Sequence, residues 1–586
     1  MSGKAKGSKH CPFDLQTSGP HFSTPFDEGR FSMDDTAATF DYIVIGGGSA
    51  GCLMANRLSE DPKHRVLLLE AGKPDTYPWI HIPVGYLYCI GNPRADWMYN
   101  TEPDKGLNGR SLRYPRGKTL GGCSSINGMI YMRGQARDYN NWAALSGECD
   151  WSWDKSLADF KVHEDHYKLD DDEDPETGDN GRFSDTHGHG GEWRIEKQRL
   201  SWEVLDSFAD AAVQTGIEKT EDFNAGDNAG VGYFDVNQRS GWRWNTSKAF
   251  LRPVKSRPNL TVWTEAQAEK LTFETGVDGA LRCSGVLVQR DGKSIQTTAT
   301  REVVLSAGAI NSPQILQLSG IGPAAVLKSH GIDVIKDMPV GENLQDHLQI
   351  RAVFKVNGTR TMNTLINSLL GKAKIAMEYL FKRTGPMSMA PSQLGAFTRS
   401  DPSRAHANLE YHVQPLSLEA FGEDLHDFPA MTVSVCNLNP TSRGHVRIGS
   451  ADFRDPPVIS PNYLDTEDDR KVAADSLRQV RKIMAQSAME TYQPEEYKPG
   501  VQYQTDAELT KLAGDIANTI FHPVGTVKMG HVDDPTAVLD PHLRLKGVTG
   551  LRVVDASIMP EITSGNTNSP TIMIAEKAAK WMLSGQ

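Results

Sequence analysis

A chain of 586 residues is too long for one ordinary hydrophobic core, so we expect two domains. Hydrophobic residues make up 38% and charged residues 23%, which is typical of a soluble globular protein. The net charge of −12 argues against a nucleic-acid partner, because binding a polyanion needs a basic surface.

The seven cysteines are odd in number and scattered, without a Cys-x-x-Cys pair, which favours a reducing compartment. Residues 1–39 lack the apolar core of a signal peptide, and we interpret them as an N-terminal extension. Since no run of about 18 apolar residues occurs, we expect no membrane-spanning helix. The protein is therefore expected to be cytoplasmic or peripherally bound to a membrane.

The first predicted strand, residues 40–45, leads into Gly46-Gly47-Gly48-Ser49-Ala50-Gly51 and then a helix. A second strand, residues 65–69, ends at Glu70, which lies 19 residues beyond Gly51, where a ribose-binding carboxylate is expected. In such a βαβ unit Gly46 allows a tight turn, Gly48 a close approach to a pyrophosphate, and Gly51 close helix packing. The pattern predicts a dinucleotide site; the alternative is a glycine turn without a ligand.

Residues 116–128 are rich in glycine and serine and too poor in large side chains to fill a core. Such a segment suits backbone that lies against a flat ligand, although a surface loop is the alternative. The acidic run at 164–179 is typical of a solvated loop, and His187 with His189 would need two further ligands to bind zinc. We expect no metal site.

Residues 365–381 form an amphipathic helical pattern, with apolar residues on one face and Lys372, Lys374, Glu378, Lys382 and Arg383 around it. One interpretation is that the apolar stripe packs onto its own domain. The other is a helix at the substrate mouth or on a membrane surface, where the basic residues would meet anionic lipid.

Near the C-terminus, His522 is followed 44 residues later by Asn566. A neutral imidazole can accept the hydroxyl proton that an alcohol loses on oxidation, and an amide can donate to the oxygen without competing for that proton. We interpret the two as an alcohol-oxidising pair. The alternative is that a histidine before a proline belongs to a turn or the core.

The glycine fingerprint, the Arg-Gly-Lys-x-Leu-Gly-Gly-x-Ser-Ser stretch, residues 308–316 and the His522/Asn566 tail occur in this order in glucose-methanol-choline (GMC) oxidoreductases. From about residue 40 onward the chain resembles this family. The resemblance implies an α/β fold, in which a Rossmann-like FAD-binding domain is interleaved with a substrate domain built on an antiparallel sheet. We assign 40–160, 250–350 and 505–586 to the first domain, and 161–249 and 351–504 to the second.

The resemblance also assigns residues to the cofactor. Residues of the first glycine turn and Glu70 would hold the ADP half, those near Asn127 the isoalloxazine ring, and those near Asp555 the connecting chain. The implied cofactor-binding residues are Gly46, Gly48, Ser49, Gly51, Glu70, Ala71, Gly121, Asn127, Gly128, Met129, Ala268, Asp555, Ala556, Asn566 and Thr567.

One departure from the family pattern concerns how FAD is held. Members that bind FAD covalently carry a histidine just before the position of Asn127, and this chain has Ile126 there. We therefore expect non-covalent FAD.

The implied reaction is oxidation of a primary alcohol, aliphatic or polyether, to the aldehyde, with proton abstraction by His522 and hydride transfer to flavin N5. Gln393 stands where choline-oxidising members are expected to place a glutamate, so choline ranks second, although Glu410 could enter the pocket and replace that glutamate. A quinone or dye-type acceptor is preferred over oxygen, and a lyase that keeps FAD without redox turnover is a further alternative. The sequence predicts no oligomeric state.

Overall fold

The structure is a computed structural model that describes residues 38–170, 183–276, 279–366, 368–419 and 424–586. The described residues belong to one compact unit. Most of the predicted N-terminal extension, residues 1–37, and residues 171–179 of the acidic run lie outside the described residues.

Two large sheets contain most of the strands. In chain order these strands are β1 (Ala38–Ile45), β2 (Val66–Leu69), β3 (Gly230–Tyr233), β4 (Leu260–Trp263), β5 (Gln267–Thr275), β6 (Leu281–Arg290), β7 (Lys293–Leu305), β8 (Leu348–Lys355), β9 (Leu394–Thr398), β10 (Leu409–Gln414), β11 (Ala430–Asn437), β12 (Glu495–Lys498), β13 (Asn518–Thr519) and β14 (Leu551–Val553).

The longer helices surround these sheets. They are α1 (Ser49–Leu58), α2 (Ala136–Ser146), α3 (Trp153–His163), α4 (Glu203–Gln214), α5 (Gly308–Leu318), α6 (Leu369–Lys382), α7 (Glu467–Met484), α8 (Asp506–Ile516) and α9 (Asn568–Ser584). Shorter helices span Pro78–His81, Tyr86–Cys89, Ala324–Ser329 and Met362–Leu365. Short strands outside the two sheets span Glu164–His166, Trp193–Ile195, Gln238–Arg239, Trp242–Arg243, Ile321–Gly322, Lys336–Asp337, Glu342–Leu344, Gly444–Arg447 and Val458–Ser460.

The first sheet has the order β4-β2-β1-β7-β6-β5, with β14 also paired to β7. Strands β4, β2, β1, β7 and β14 are parallel, whereas β6 and β5 add an antiparallel extension. Because Ile45 pairs with both Leu69 and Leu305, the carboxyl ends of β1, β2 and β7 meet at one edge. Ligands bind at such an edge in open α/β sheets, at the point where the strand order reverses.

The second sheet is antiparallel and has the order β12-β8-β11-β10-β9-β3, with β13 also paired to β8. On one face, alternate apolar residues such as Ile350 and Val433 pack in a core with side chains of α4, α7 and α8. Directly opposite residues share a face, so the register Arg351–Ser434–His412 places these three on the other side. That second face is polar and buried.

The predicted α/β fold class is confirmed: a Rossmann-like unit with a mostly parallel sheet is combined with a second unit built on an antiparallel sheet. Between β4 and β5 the chain turns at Glu265, whose φ is 53°. The exact domain division stays a prediction. Strand β8 crosses the boundary proposed at 350/351, and β13 pairs with the second sheet although it lies in an interval assigned to the first domain.

The helix predicted at 365–381 begins only at Leu369, as α6, while Leu365 ends the short helix Met362–Leu365, and the apolar residues of the predicted stripe do not share one environment. Leu365 and Ile366 pack against the core of the second sheet. In α6, by contrast, Leu369 is 82%, Leu370 84% and Phe381 74% exposed. The interpretation that the stripe packs onto its own domain is therefore wrong for α6. No helix in the described ranges has the length and apolar character needed to cross a membrane.

Candidate active site

A cavity lies between the carboxyl ends of the first sheet and the polar face of the second. Most residues predicted to bind the cofactor line it: Gly46, Gly48, Ser49, Glu70, Ala71, Asn127, Gly128, Met129, Ala268, Asp555, Ala556, Asn566 and Thr567. Gly51 and Gly121 do not line it, while Gly122 does. His522 also contributes to the cavity wall.

Glycines bring the backbone of the first turn close to its neighbours. Gly46 has a φ of 103°, and a Cβ there would lie 2.4 Å from the carbonyl oxygen of Ser306. A Cβ on Gly51 would lie 1.8 Å from the carbonyl oxygen of Gly46, so only glycine permits this helix packing. Gly48 caps α1 without a side-chain hydrogen bond, which leaves N–H groups of the first helical turn open toward the cavity.

Two buried carboxylates brace the loops at the dinucleotide end. Glu70 accepts hydrogen bonds from the backbone N–H groups of Gly47 at 2.9 Å and Gly72 at 2.7 Å, and burial raises its pKa to about 7. Asp555 accepts from the N–H of Gly308 at 2.8 Å and the hydroxyl of Ser312 at 2.6 Å, and burial raises its pKa as well. Each carboxylate oxygen can accept more than one hydrogen bond, so both groups retain capacity for ligand hydroxyls.

The N-terminus of α9 meets that of α1 at the cavity. Ser49 donates a hydrogen bond through Oγ to Asn568 Oδ1 at 2.6 Å, and the N-cap of α9, Thr567, makes no side-chain cap. Asn566 Oδ1 and Asn568 Nδ2 are buried without a hydrogen-bond partner. Open N–H groups, orphaned amides and a glycine-lined crevice fit the long polar dinucleotide FAD implied by the sequence.

His522 is held on three sides. Its Nε2 lies 3.0 Å from Asn566 Nδ2, and its Nδ1 lies 3.1 Å from His347 Nδ1. Its backbone N–H donates to Asp346 Oδ1 at 2.8 Å. The proposed base and the proposed amide therefore meet directly, although 44 residues separate them in sequence.

The hydrogen-bond partners fix which nitrogen of His522 carries the proton. His347 Nε2 lies 3.1 Å from the carbonyl oxygen of Leu438, which can only accept, so this nitrogen is the donor. In neutral His347 the other nitrogen, Nδ1, is then an acceptor, and His522 Nδ1 must donate to it. His522 Nε2 is therefore unprotonated, and its lone pair accepts the hydrogen bond from Asn566 Nδ2 at the cavity wall.

Electrostatics keep this imidazole neutral. His522 is 7% exposed, and burial together with His347, His412 and Arg116 holds its pKa well below the ordinary value of 6.5. Burial also lowers the pKa of His347. A neutral imidazole at neutral pH is the form required of a general base.

Asp346 joins four chain segments behind the base. Its Oδ2 accepts hydrogen bonds from the hydroxyls of Tyr114 at 2.8 Å, Tyr463 at 2.5 Å and Thr519 at 2.6 Å. Its Oδ1 accepts from the backbone of His522. The position of the base therefore depends on contacts from distant parts of the sequence.

Neither predicted substrate residue lines the cavity. Gln393 is fully buried and donates to the carbonyl oxygen of Ala390 at 2.8 Å. Glu410 is fully buried beside His412, 3.1 Å from its Nε2. The substrate-side wall that sequence reasoning missed is polar and comes largely from the second sheet and the segment before His522: Gln349, Arg351, His412, Gln414 and Asn518.

The buried histidines before β3 belong to a charge network. Glu164, His166 and His187 lie close enough together for metal ligation. However, Glu164 accepts from Arg133 at 2.7 Å, and His187 contacts Glu164 at 3.3 Å and Asp222 at 3.0 Å. These contacts satisfy the polar atoms of Glu164 and His187 with protein partners, which is consistent with a structural role.

Two family models, both described as GMC oxidoreductase, match residues 40–349 and 440–575. An alcohol dehydrogenase (acceptor) of Pseudomonas putida is 41% identical over 545 residues, covering 92% of this chain and 95% of that protein. The mitochondrial choline dehydrogenase of Homo sapiens is 40% identical over 548 residues, covering 92% of this chain and 89% of that protein. The crystal structure of pyridoxine 4-oxidase from Mesorbium loti has a TM-score of 0.81 at 32% identity, covering 93% of this chain and 99% of that one.

Family models cover more than half of the chain, and relatives of about 40% identity extend over nearly all of it. The cavity between the two sheets has the open helix termini and orphaned polar atoms that a dinucleotide requires. The chain therefore belongs to the GMC oxidoreductase family, FAD-binding enzymes that act on alcohol or choline-type donors.

Proposed function

We propose that this protein oxidises a primary alcohol to the aldehyde, with His522 as the base that takes the hydroxyl proton. The observation that carries the proposal is the unprotonated Nε2 of His522, which accepts a hydrogen bond from the Asn566 amide at 3.0 Å at the cavity wall. Bound FAD supplies the acceptor for the hydride that leaves the alcohol carbon. The expected cofactor contacts are the cavity-lining residues described above.

His522 and Asn566 would divide the work on the alcohol. A hydroxyl that donates to Nε2 displaces the Asn566 bond and frees the amide to donate to the alcohol oxygen. His522 then takes the proton, while its Nδ1–H remains bonded to His347. Positioned proton transfer of this kind contributes roughly 10²- to 10⁴-fold to a rate.

We infer that FAD is held without a covalent bond. Ile126, at the position where covalent members carry histidine, lines the cavity with a side chain that offers no nucleophile. The glycine turn, the open helix ends and the two braced carboxylates supply the polar contacts instead.

We also infer that electrons pass to a quinone or dye-type acceptor at a membrane surface. The exposed apolar residues of α6 are Leu369, Leu370, Met377, Leu380 and Phe381, and the surrounding basic residues are Lys372, Lys374, Lys382 and Arg383. An apolar face rimmed by cations suits insertion into the headgroup region of anionic lipid. Membrane quinones are the acceptors within reach of such a protein.

Choline is the second candidate, because relatives named choline dehydrogenase are 38–40% identical. Oxygen as acceptor and a lyase that keeps FAD without redox turnover are further alternatives. The test is anaerobic addition of an alcohol panel, with choline included, to the purified yellow protein. We expect a primary alcohol to bleach the flavin, and dye to restore its colour faster than oxygen does. If no alcohol bleaches it, the oxidation proposal is wrong.

A further inference from the structure

Arg351 is a cation inside the cavity that has no counterion among the residues the structure describes. It lies on β8 and lines the cavity wall. Across residues 38–170, 183–276, 279–366, 368–419 and 424–586 no carboxylate pairs with it, the Tyr86 phenol is the group that interacts with it electrostatically, and its Nη2 is buried without a hydrogen bond. Arg351 as a whole is half-buried and its Nη2 is shielded from water, so a charge left unpaired there is unfavourable and a bound anion is the expected partner.

The surrounding wall reinforces this positive character. Gln349 precedes Arg351 by two residues on the same strand face, and Gln414 lies on the same face of β10. Gln414 Nε2 already donates to Ser392 Oγ at 3.0 Å and Gln349 Nε2 to the carbonyl oxygen of Thr519 at 3.5 Å, so each neutral amide keeps one further N–H for a ligand. Arg116, a second guanidinium at the cavity, donates to the carbonyl oxygen of Phe521 at 2.6 Å.

Acidic groups are confined to the other end of the cavity. Among the described residues, the acidic ones that line it are Glu70 and Asp555, and both accept hydrogen bonds from backbone N–H groups at the dinucleotide end. Tyr86 lies near Arg351 but stays neutral, because burial raises its pKa. Glu410 lies behind His412 and does not reach the wall.

We propose that Arg351 binds a carboxylate of the substrate, which makes the substrate class hydroxy acids that carry a primary alcohol at one end and a carboxylate at the other. This inference rests on the proposed alcohol oxidation at His522. A guanidinium presents paired N–H groups that match the two oxygens of a carboxylate. A quaternary ammonium in the same place would meet a like charge.

The test uses alcohols that differ only in charge at the far end. The matched probes are 6-hydroxyhexanoate, 1-hexanol and 6-hydroxyhexyltrimethylammonium, with 4-(hydroxymethyl)benzoate and 4-(hydroxymethyl)benzamide as an aromatic pair. For the FAD-loaded enzyme with a dye acceptor, we expect kcat/KM to favour the carboxylate of each pair roughly 10- to 100-fold, the effect of one charge-assisted hydrogen-bonded pair.

Variants assign that preference to Arg351. In Arg351→Met the ratio of kcat/KM for carboxylate over neutral alcohol should fall at least about 10-fold, and Arg351→Lys should keep part of it. Lys355→Met is the matched control, because it removes a cation from the same strand whose ammonium lies over the rings of Phe428 and Tyr497. The control should keep the wild-type ratio.

A binding measurement separates this inference from the proposed function. Hexanoate and hexanamide are titrated into the holoenzyme while the flavin spectrum is followed, which needs no turnover. We expect hexanoate to bind at least about 10-fold more tightly, and the difference to vanish in Arg351→Met. Equal binding, or a preference that survives in Arg351→Met, would overturn the carboxylate site. Preferential hexanoate binding without bleaching by any alcohol would keep the site and reject the oxidation.

Discussion

Replacing His347 tests how the base is kept in its active form. In His347→Leu the Nδ1–H of His522 loses its acceptor in a buried position, which costs about 1–3 kcal/mol. The His522 imidazole can avoid this cost by moving its proton to Nε2, but Nε2 then cannot accept the proton of the alcohol. A penalty of that size on the active tautomer corresponds to a loss of roughly 5- to 150-fold in kcat/KM.

The assay is steady-state turnover of a primary alcohol with a dye acceptor, normalised to bound flavin. His347→Gln is the informative companion, because its amide oxygen can accept from His522 and its N–H₂ can donate to the carbonyl oxygen of Leu438. We expect it to recover most of the lost activity. His445→Leu, a partly buried histidine away from the cavity, serves as control and should resemble the wild type.

Two outcomes would refute the reasoning about His347. If flavin-loaded His347→Leu keeps kcat/KM within about twofold of wild type, the Nδ1-protonated form of His522 does not need His347 as its acceptor. Equal losses in His347→Leu and His347→Gln would show that the residue contributes packing alone.

The remaining predictions address pH, cofactor attachment, stability and the surface helix. Because the pKa of His522 is held well below 6.5, kcat/KM should stay flat as pH falls from about 8 to 6.5, and a midpoint near pH 7 in the pH–rate profile would contradict this. Acid precipitation should release all flavin into solution, whereas colour in the pellet would argue against the interpretation of Ile126. Glu164→Gln leaves Arg133 buried without its counterion and should lower the free energy of unfolding by about 3–5 kcal/mol in urea at pH 7. The ion pair with Arg133 outweighs the effect of burial and lowers the pKa of Glu164. The stabilisation that this ion pair gives the folded protein is therefore lost as pH falls. The difference in unfolding free energy between wild type and Glu164→Gln should narrow below pH 4.5. Leu370→Glu should reduce co-sedimentation with anionic vesicles several-fold without changing dye-linked turnover, and unchanged sedimentation would argue against membrane contact.

The elements that the sequence predicts best are local ones. Strand β1, the glycine turn and α1 are contiguous, and Glu70 follows within 19 residues of Gly51. Their contacts, such as the bond from the Gly47 N–H to Glu70, join residues near in sequence. Apolar periodicity and glycine spacing therefore suffice to predict the unit.

The substrate wall depends instead on long-range pairing. The residues of β8 alternate between apolar and polar from Leu348 to Ala352, which indicates a strand with one largely polar face. Such a face usually meets water, and only the packing of the two sheets turns Arg351 toward a cavity. His347 was missed for the same reason, because its partner His522 arrives through the pairing of β8 with β13.

The substrate residues predicted from resemblance illustrate a related difficulty. Glu410 lies on the cavity-facing side of β10, because it pairs with Cys436, which in turn pairs with Gln349. His412, two residues further along the strand, reaches the wall, while Glu410 stays behind it. The position along the strand therefore decides which side chain meets the substrate. Strand pairing sets that position, and the sequence alone does not specify it.

The hydrogen bonds that converge on Asp346 have a consequence for folding. Tyr114, Tyr463 and Thr519 must all arrive before this carboxylate can hold the backbone of His522 in place. The nucleotide crevice also depends on distant partners such as Ser49 and Asn568, so we expect a refolding chain to regain flavin binding and turnover together. Catalytic competence would then report on completed assembly of the whole molecule.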